Sequence, residues 1–136
     1  MGTKFVIIGP NQRLIQGIKY PLLVASAKKS VNEVLKIMED AAKADYSKKR
    51  KTQSPSIANS MIISSFSYDT NMLGSLVVQG TLFAGGPDAP YAGFVNDGHA
   101  HRDGSSFKGY HFMEAGGKAG AKAASRIIND NIRMIR

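Results

Sequence analysis

The sequence contains no cysteine among its 136 residues. A chain without cysteine has no disulfide, no thiolate nucleophile and no zinc or iron–sulfur site built on thiolates. Long hydrophobic runs are also absent: none approaches the roughly 20 apolar residues that a membrane span needs. The run Phe5–Ile8 is too short for the hydrophobic region of a signal peptide. The length fits one domain with its own core, so we expect a single domain, residues 1–136, that does not enter a membrane.

Acidic residues are scarce in the first half of the chain. Lys and Arg number 18 against 10 Asp and Glu, a net charge of +8, and residues 1–60 alone hold 11 basic and 4 acidic residues. The densest part, called the basic cluster below, is Lys43, Lys48, Lys49, Arg50 and Lys51. Such a cluster can neutralise phosphates, so one hypothesis is a sequence-neutral nucleic-acid-binding module. The alternative is a solvated helix end, where cations complement the helix dipole.

Two stretches have the apolar spacing of helices. From Tyr20 to about Lys49, apolar residues recur every three or four positions, which predicts a long amphipathic helix with one buried stripe. The pattern is helical again from Tyr110 to the end. There Gly116 and Gly120 would allow close approach to another backbone, although each interior glycine costs about 1 kcal/mol relative to alanine. We expect this second helix to depend on a packing partner.

The remaining segments favour strands and loops. Lys4–Ile8 predicts an N-terminal strand, and the β-prone runs 57–68 and 73–84 predict a hairpin with its turn at Asp69–Asn71. Tyr91–Val95 predicts a third strand or a short helix, and Asn96–Gly109 a polar surface loop. The fold class is therefore α+β, with a long N-terminal helix and a C-terminal helix packed on a small antiparallel sheet.

One short motif could carry chemistry. His99 and His101 would fall on one side of an extended loop together with Asp97, which makes a small metal-dependent enzyme conceivable. A third fixed ligand and a rigid support are missing from the pattern, since Gly98 and Gly104 flank it. No nucleophile elbow and no phosphate loop is present. We therefore expect polar loop residues here, and a protein that is not an enzyme and binds no metal or cofactor.

The order of elements, with a few short motifs, resembles that of the small neck, head–tail joining or tail-completion proteins of tailed bacteriophages. In that family a helix leads into an "S-I" strand start, then a "P-Y-A-x-x-V-x-x-G" segment, a loop, and an aromatic residue that opens the last helix. The matching residues here are Ser60–Ile62, Pro90, Tyr91, Ala92, Val95 and Gly98, with Phe107 or Phe112 as the aromatic. The resemblance covers about residues 20–130, with Asn96 where the family usually has an acidic residue.

This resemblance implies a structural virion protein, a subunit of a homo-oligomeric ring that joins the head connector to the tail and lines the DNA channel. It would be made in the host cytoplasm, reside in the neck or tail of the virion, and have connector and tail proteins as partners. Subunit or inter-ring contacts are expected at Tyr91, Phe94, Val95, His99, His101, Arg102, Phe107 and Phe112. The basic cluster would then face channel DNA or an acidic neighbouring ring.

Overall fold

The computed structural model describes residues 2–8, 18–51, 66–72, 77–87, 89–90, 92–100 and 104–135. Within these residues the chain forms helices and antiparallel strands, which confirms the α+β class. In chain order they are β1 (Gly2–Ile8), α1 (Tyr20–Lys51), β2 (Ser67–Met72), β3 (Val77–Phe83), α2 (Ala92–Asp97), β4 (His99–Ala100), β5 (Ser106–Phe107) and α3 (Phe112–Met134). Among the helices that the structure describes, none combines the length and the hydropathy required to cross a bilayer.

The long helix α1 confirms the predicted amphipathic helix. Its buried apolar side chains form one stripe: Leu23, Val31, Val34, Leu35, Met38, Ala42 and Tyr46. Two elements, β3 and α3, pack against different parts of this stripe. Val31 and Leu35 pack against β3, whereas Met38 and Ala42 pack against α3. The helix is therefore the centre of the core, with the sheet and α3 both built on it.

The main sheet has three antiparallel strands in the order β1-β3-β2. Its central strand, β3, buries Val78 and Leu82. Gly80 lies between them in the register, and a Cβ atom at that position would come within 2.4 Å of Val31 Cγ1. The absence of a side chain at Gly80 thus lets the sheet lie close to α1.

The predicted hairpin turn at Asp69–Asn71 is wrong, because these residues lie inside β2. Asp69, Thr70 and Asn71 pair with Thr81, Gly80 and Gln79 of β3. On one side of the strand the Thr70 hydroxyl donates a hydrogen bond to Asn32 Oδ1 of α1, and on the other Asn71 Nδ2 donates to Asp69 Oδ2 at 2.9 Å. The polar side chains that suggested a turn therefore find hydrogen-bond partners in an extended edge strand. Strand β2 ends at Met72 and β3 begins at Val77, and residues 57–65 and 73–76 of the two predicted strands lie outside the described residues.

Helix α3 packs closely along α1, as its glycines predict. A Cβ atom at Gly116 would lie 2.6 Å from the Met38 carbonyl oxygen, and one at Gly120 would lie 2.4 Å from Met38 Cγ. The partner that this helix requires is thus α1 of the same chain.

A buried polar contact joins the last turns of α3 to the N-terminal half of α1. Asn131 Nδ2 donates to Ser30 Oγ at 3.0 Å and to Glu33 Oε2 at 3.3 Å, while the Ser30 hydroxyl donates to the Ser26 carbonyl at 2.9 Å. Ser30 and Asn131 are both buried. Since a buried amide is costly when it has no partner, this contact favours a single register of α3 on α1.

Four aromatic rings close the core where α1 ends and α3 begins. Tyr46 meets Phe112 and Tyr110 edge to face at centroid distances of 5.3 and 5.8 Å, and Phe66 meets Phe112 at 5.9 Å. The Phe112 side chain is fully buried. The expectation that Phe112 contacts another subunit is therefore corrected: its ring lies in the core of its own chain.

Candidate functional surface

The segment Pro90–Gly98, which carries the family-like motif, forms the short helix α2. Ala92 and Asn96 are buried and Val95 packs partly against the core. Phe94, on the opposite side, is 62% exposed. Of the two structures predicted for this segment, the helix is confirmed. Tyr91 lies outside the described residues.

Asn96 is the most connected polar residue of this region, and its side chain is fully buried. Its Oδ1 accepts the Met113 backbone N–H at 3.0 Å, while its Nδ2 donates to Asp97 Oδ1 at 2.8 Å and to Glu114 Oε1 at 3.1 Å. The residue at the N-cap position of α3, His111, makes no side-chain capping bond. Asn96 supplies that cap from another helix, because an uncapped, buried N–H in the first turn would be costly.

Backbone contacts hold α2 against the start of α3. The Tyr110 and His111 N–H groups donate to the carbonyls of Val95 and Asn96 at 2.9 and 3.0 Å. Gly109, with φ +82°, lies so close that a Cβ atom there would come 2.3 Å from the Asn96 carbonyl oxygen. Only glycine suits both the conformation and the space. Phe94 is thus displayed on a helix that is fixed on its inner side.

His111 itself adopts a left-handed conformation, with φ 55°. Its ring makes two polar contacts that hold it at the surface: Nε2 lies 2.9 Å from the Lys108 carbonyl oxygen and Nδ1 lies 3.5 Å from Glu114 Oε2. Glu114 therefore touches both His111 and Asn96. These contacts explain how a non-glycine residue is kept in a sparsely populated conformation.

The predicted loop Asn96–Gly109 is corrected in part, because it contains regular structure. It starts inside α2 and continues into a two-stranded hairpin, in which His99 pairs with Phe107 and Ala100 with Ser106. The predicted contact residues His101 and Arg102 lie outside the described residues, as do the side chains of His99 and Phe107. In the part of the chain that is described, no three His, Asp or Glu side chains form a metal-ligand group.

Two of the three basic-cluster side chains that the structure describes are engaged within the chain. Lys43 Nζ lies 2.8 Å from Glu39 Oε1 and 5.8 Å from the centre of the Phe66 ring. Lys49 pairs with Asp45 at 2.7 Å and also donates to the Tyr110 carbonyl. Lys48 is exposed, and the side chains of Arg50 and Lys51 at the end of α1 lie outside the described residues. The structure therefore assigns Lys43 and Lys49 a role in holding the fold together.

The middle of α1 shows the same pairing of charges. Lys36 lies 3.3 Å from Asp40 and 3.9 Å from Glu39. A hydrogen bond to Asp40, together with the nearby negative charges of Glu39 and Asp40, raises the pKa of Lys36 above its usual value. The excess positive charge of the first half of the chain is thus partly neutralised along α1.

Comparisons of the chain with protein-family models, with curated proteins and with solved structures found no match.

Proposed function

We propose that the chain is a structural virion protein, a subunit of a ring in the neck of a tailed bacteriophage. The ring would join the head connector to the tail and surround the DNA channel, with copies of this chain and the adjoining connector and tail proteins as partners. The protein would perform no chemistry. Its function would be to supply matching surfaces to neighbours on either side.

The observation that carries this proposal is the way in which α2 presents Phe94. Buried Ala92 and Asn96 anchor the helix, and its end is bonded to the start of α3, yet Phe94 between those anchors is 62% exposed. Large aromatic side chains in a fixed position are typical of the residues that dominate protein–protein contacts. The family-like segment thus combines residues that fix the helix with one residue suited to a partner.

A ring needs two different surfaces on each subunit, because each copy binds the next head to tail. Phe94 belongs to one candidate surface. The β2 edge of the sheet offers a second, since β2 pairs only with β3 in the described sheet and its Tyr68 is 44% exposed. An open strand edge can accept a segment from another chain.

The first test is the native mass of the purified chain, measured by light scattering, with negative-stain images of the same fraction. Measurements at low and high protein concentration, with and without the head connector of the same phage, separate self-assembly from assembly on a partner. We expect rings, either spontaneously at high concentration or only on the connector.

A matched pair of substitutions tests the role of Phe94. Phe94→Ser should leave the thermal unfolding midpoint nearly unchanged and abolish ring formation. Leu22→Ser removes another exposed apolar side chain, 45% exposed at the start of α1, and should leave ring formation intact. Equal assembly of both variants would contradict the assignment of Phe94 to the interface.

The opposite outcome is equally informative. A chain that stays monomeric with the connector but is retained on duplex DNA would contradict the ring and favour the sequence-neutral nucleic-acid-binding module. That module would use the basic cluster, so replacing Lys48 together with Arg50 and Lys51 would have to abolish retention.

A further inference from the structure

The outer face of α3 carries a row of cations that lies outside the basic cluster. Between Glu114 and Asp130 the helix has three charged residues, all of them basic: Lys118, Lys122 and Arg126. All three are exposed. We call them the α3 row.

The spacing of the α3 row sets its geometry. Residues four apart on a helix are about 6 Å apart along its axis, so the row is about 12 Å long. At about 100° per residue it lies on the side opposite Gly116, Gly120 and Ala124, which face α1. Ala119 and Ala123 lie beside it and, with Lys122 and Arg126, line a shallow cavity of about 350 Å³.

Four lysines of α1 have a nearby counter-charge, whereas the α3 row has none among the residues that the structure describes. On α1, Lys29, Lys36, Lys43 and Lys49 each have a carboxylate within 4.0 Å. In the described part of the chain, no carboxylate lies within that distance of Lys118, Lys122 or Arg126. Their positive charge is therefore available to a partner.

We propose that the α3 row binds the phosphate backbone of duplex DNA without regard to base sequence. Duplex DNA carries one negative charge per about 1.7 Å of its axis, so a 12 Å length of duplex holds about seven phosphate charges on its two strands, more than the three cations of the row require. The small side chains of Ala119 and Ala123 let the backbone come close to the helix. The inference deepens the proposed function and rests on it for the setting, in which the α3 row lines the channel.

The composition of this face favours phosphates over an acidic protein surface. Protein interfaces are typically anchored by large aromatic or aliphatic side chains. Beside the α3 row the exposed positions hold Ala121 and Ser125, with Ala119 and Ala123 in the cavity. A face of cations and small residues can attract a polyanion but offers little apolar area to a protein.

The test measures binding of the full chain to a fluorescent duplex of arbitrary sequence by anisotropy, over a series of salt concentrations. The test variant is the triple substitution Lys118→Gln, Lys122→Gln and Arg126→Gln. The matched control removes three exposed lysines, one directly before α1 and two on it: Lys19→Gln, Lys28→Gln and Lys48→Gln. Circular dichroism of both variants confirms that the helices remain folded.

We expect the natural chain to bind the duplex with a steep salt dependence. In the test variant the affinity at low salt should fall roughly tenfold or more, and the slope of log K against log salt should become shallower by about 2.7, since each phosphate contact contributes about 0.9. In the control both quantities should stay close to those of the natural chain.

The same assay with polyglutamate in place of the duplex tests binding to an acidic protein surface. Three outcomes overturn the inference: no duplex binding by the natural chain, equal losses in both variants, or a test variant that loses binding to polyglutamate but not to the duplex. Ring formation on the connector is measured separately with the same proteins. Failure of the natural chain to assemble contradicts the proposed function, and the duplex measurements still decide the role of the α3 row.

Discussion

At the scale of single residues, Asn96 connects the two helices that define the candidate surface. Its side chain caps α3 through the Met113 N–H and donates to Asp97 and Glu114. Asn96→Ala leaves that N–H buried without a partner, so we expect the free energy of unfolding to fall by about 2 kcal/mol. Urea denaturation measures it. Asn129→Ala, at a half-buried position of α3 away from this contact, is the control and should lower stability much less.

Asn96→Asp tests the hydrogen-bond acceptor and the hydrogen-bond donor of the Asn96 side chain separately. A carboxylate would still accept the Met113 N–H, and it suits a helix N-terminus. It would however face the carboxylates of Asp97 and Glu114 without a proton to donate. We expect a loss of stability at neutral pH that shrinks as the pH falls and a shared proton restores one hydrogen bond. A loss independent of pH would show that the donor side of Asn96 is unimportant.

Lys48 and Lys49 are adjacent in sequence but differ in their contacts. Lys49 pairs with Asp45 and donates to the Tyr110 carbonyl, whereas Lys48 is exposed. We expect Lys49→Met to lower the free energy of unfolding by about 1 kcal/mol, since the ion pair is partly screened by solvent. Lys48→Met should change it by less than about 0.5 kcal/mol. Equal effects in thermal or urea unfolding would contradict the structural role of Lys49.

At the scale of elements, the contact of α3 with α1 depends on two glycines. Replacing either by alanine would favour the helix by about 1 kcal/mol, yet each new Cβ would collide with Met38. Because Gly116 meets the Met38 backbone and Gly120 meets its side chain, we expect Gly116→Ala to destabilise the fold more, by about 2 kcal/mol. Gly93→Ala, where a Cβ meets nothing within 4 Å, is the control.

The variant Met38→Ala distinguishes the two collisions. It removes the side chain that a Cβ at Gly120 would strike, but leaves the carbonyl that a Cβ at Gly116 would strike. A double-mutant cycle should therefore show that Met38→Ala relieves much of the effect of Gly120→Ala and little of the effect of Gly116→Ala. Relief of both to the same extent would mean that α3 shifts as a rigid body.

The elements that could be predicted from sequence are those with local patterns. The apolar spacing of α1 and the glycines of α3 both describe a face of one helix, and both predictions are confirmed. The turn predicted at Asp69–Asn71 is wrong because polar residues of this kind are common in turns, whereas their pairing with Gln79–Thr81 decides the structure.

The candidate surface is less visible in the sequence. The role of Asn96 depends on Met113 and Glu114, and no local pattern reveals such distant partners. The α3 row has a local signal, the absence of acidic residues between Glu114 and Asp130.

The hairpin of β4 and β5 is an element that the fold core does not need. Its described contacts are mainly the pairing of two residues on each side, whereas the contact of α2 with α3 is made by residues 95–96 and 109–113. Deleting residues 99–106 should therefore leave a folded monomer, shown by an unchanged circular dichroism spectrum in the helical region. Head–tail joining should be blocked in assembly assays. Normal virions without this segment would contradict its predicted role as an inter-ring contact.

Taken as a whole, the molecule packs its described core within one chain, so folding and the proposed assembly would be separable. Within one chain, Gly116 and Gly120 of α3 pack against α1 and the buried Asn131 is hydrogen-bonded to Ser30. The aromatic rings of the core pack on one another in the same chain. The described core therefore requires no contact from a neighbouring chain. In the proposed ring, assembly would then depend on exposed groups such as Phe94.

This separation predicts how stability depends on protein concentration. In an obligate oligomer, folding is coupled to association, so the unfolding midpoint rises with concentration by mass action. Because the described part of the core packs within one chain, the chain should fold as a monomer: its thermal midpoint should not depend on concentration below the range in which rings form, and should rise only where they form. Phe94→Ser should keep the midpoint of the natural monomer at every concentration, since it removes the rings. A natural chain that unfolds as it is diluted below ring assembly, with Phe94→Ser unfolded at every concentration, would show instead that the ring interface is part of the folding unit.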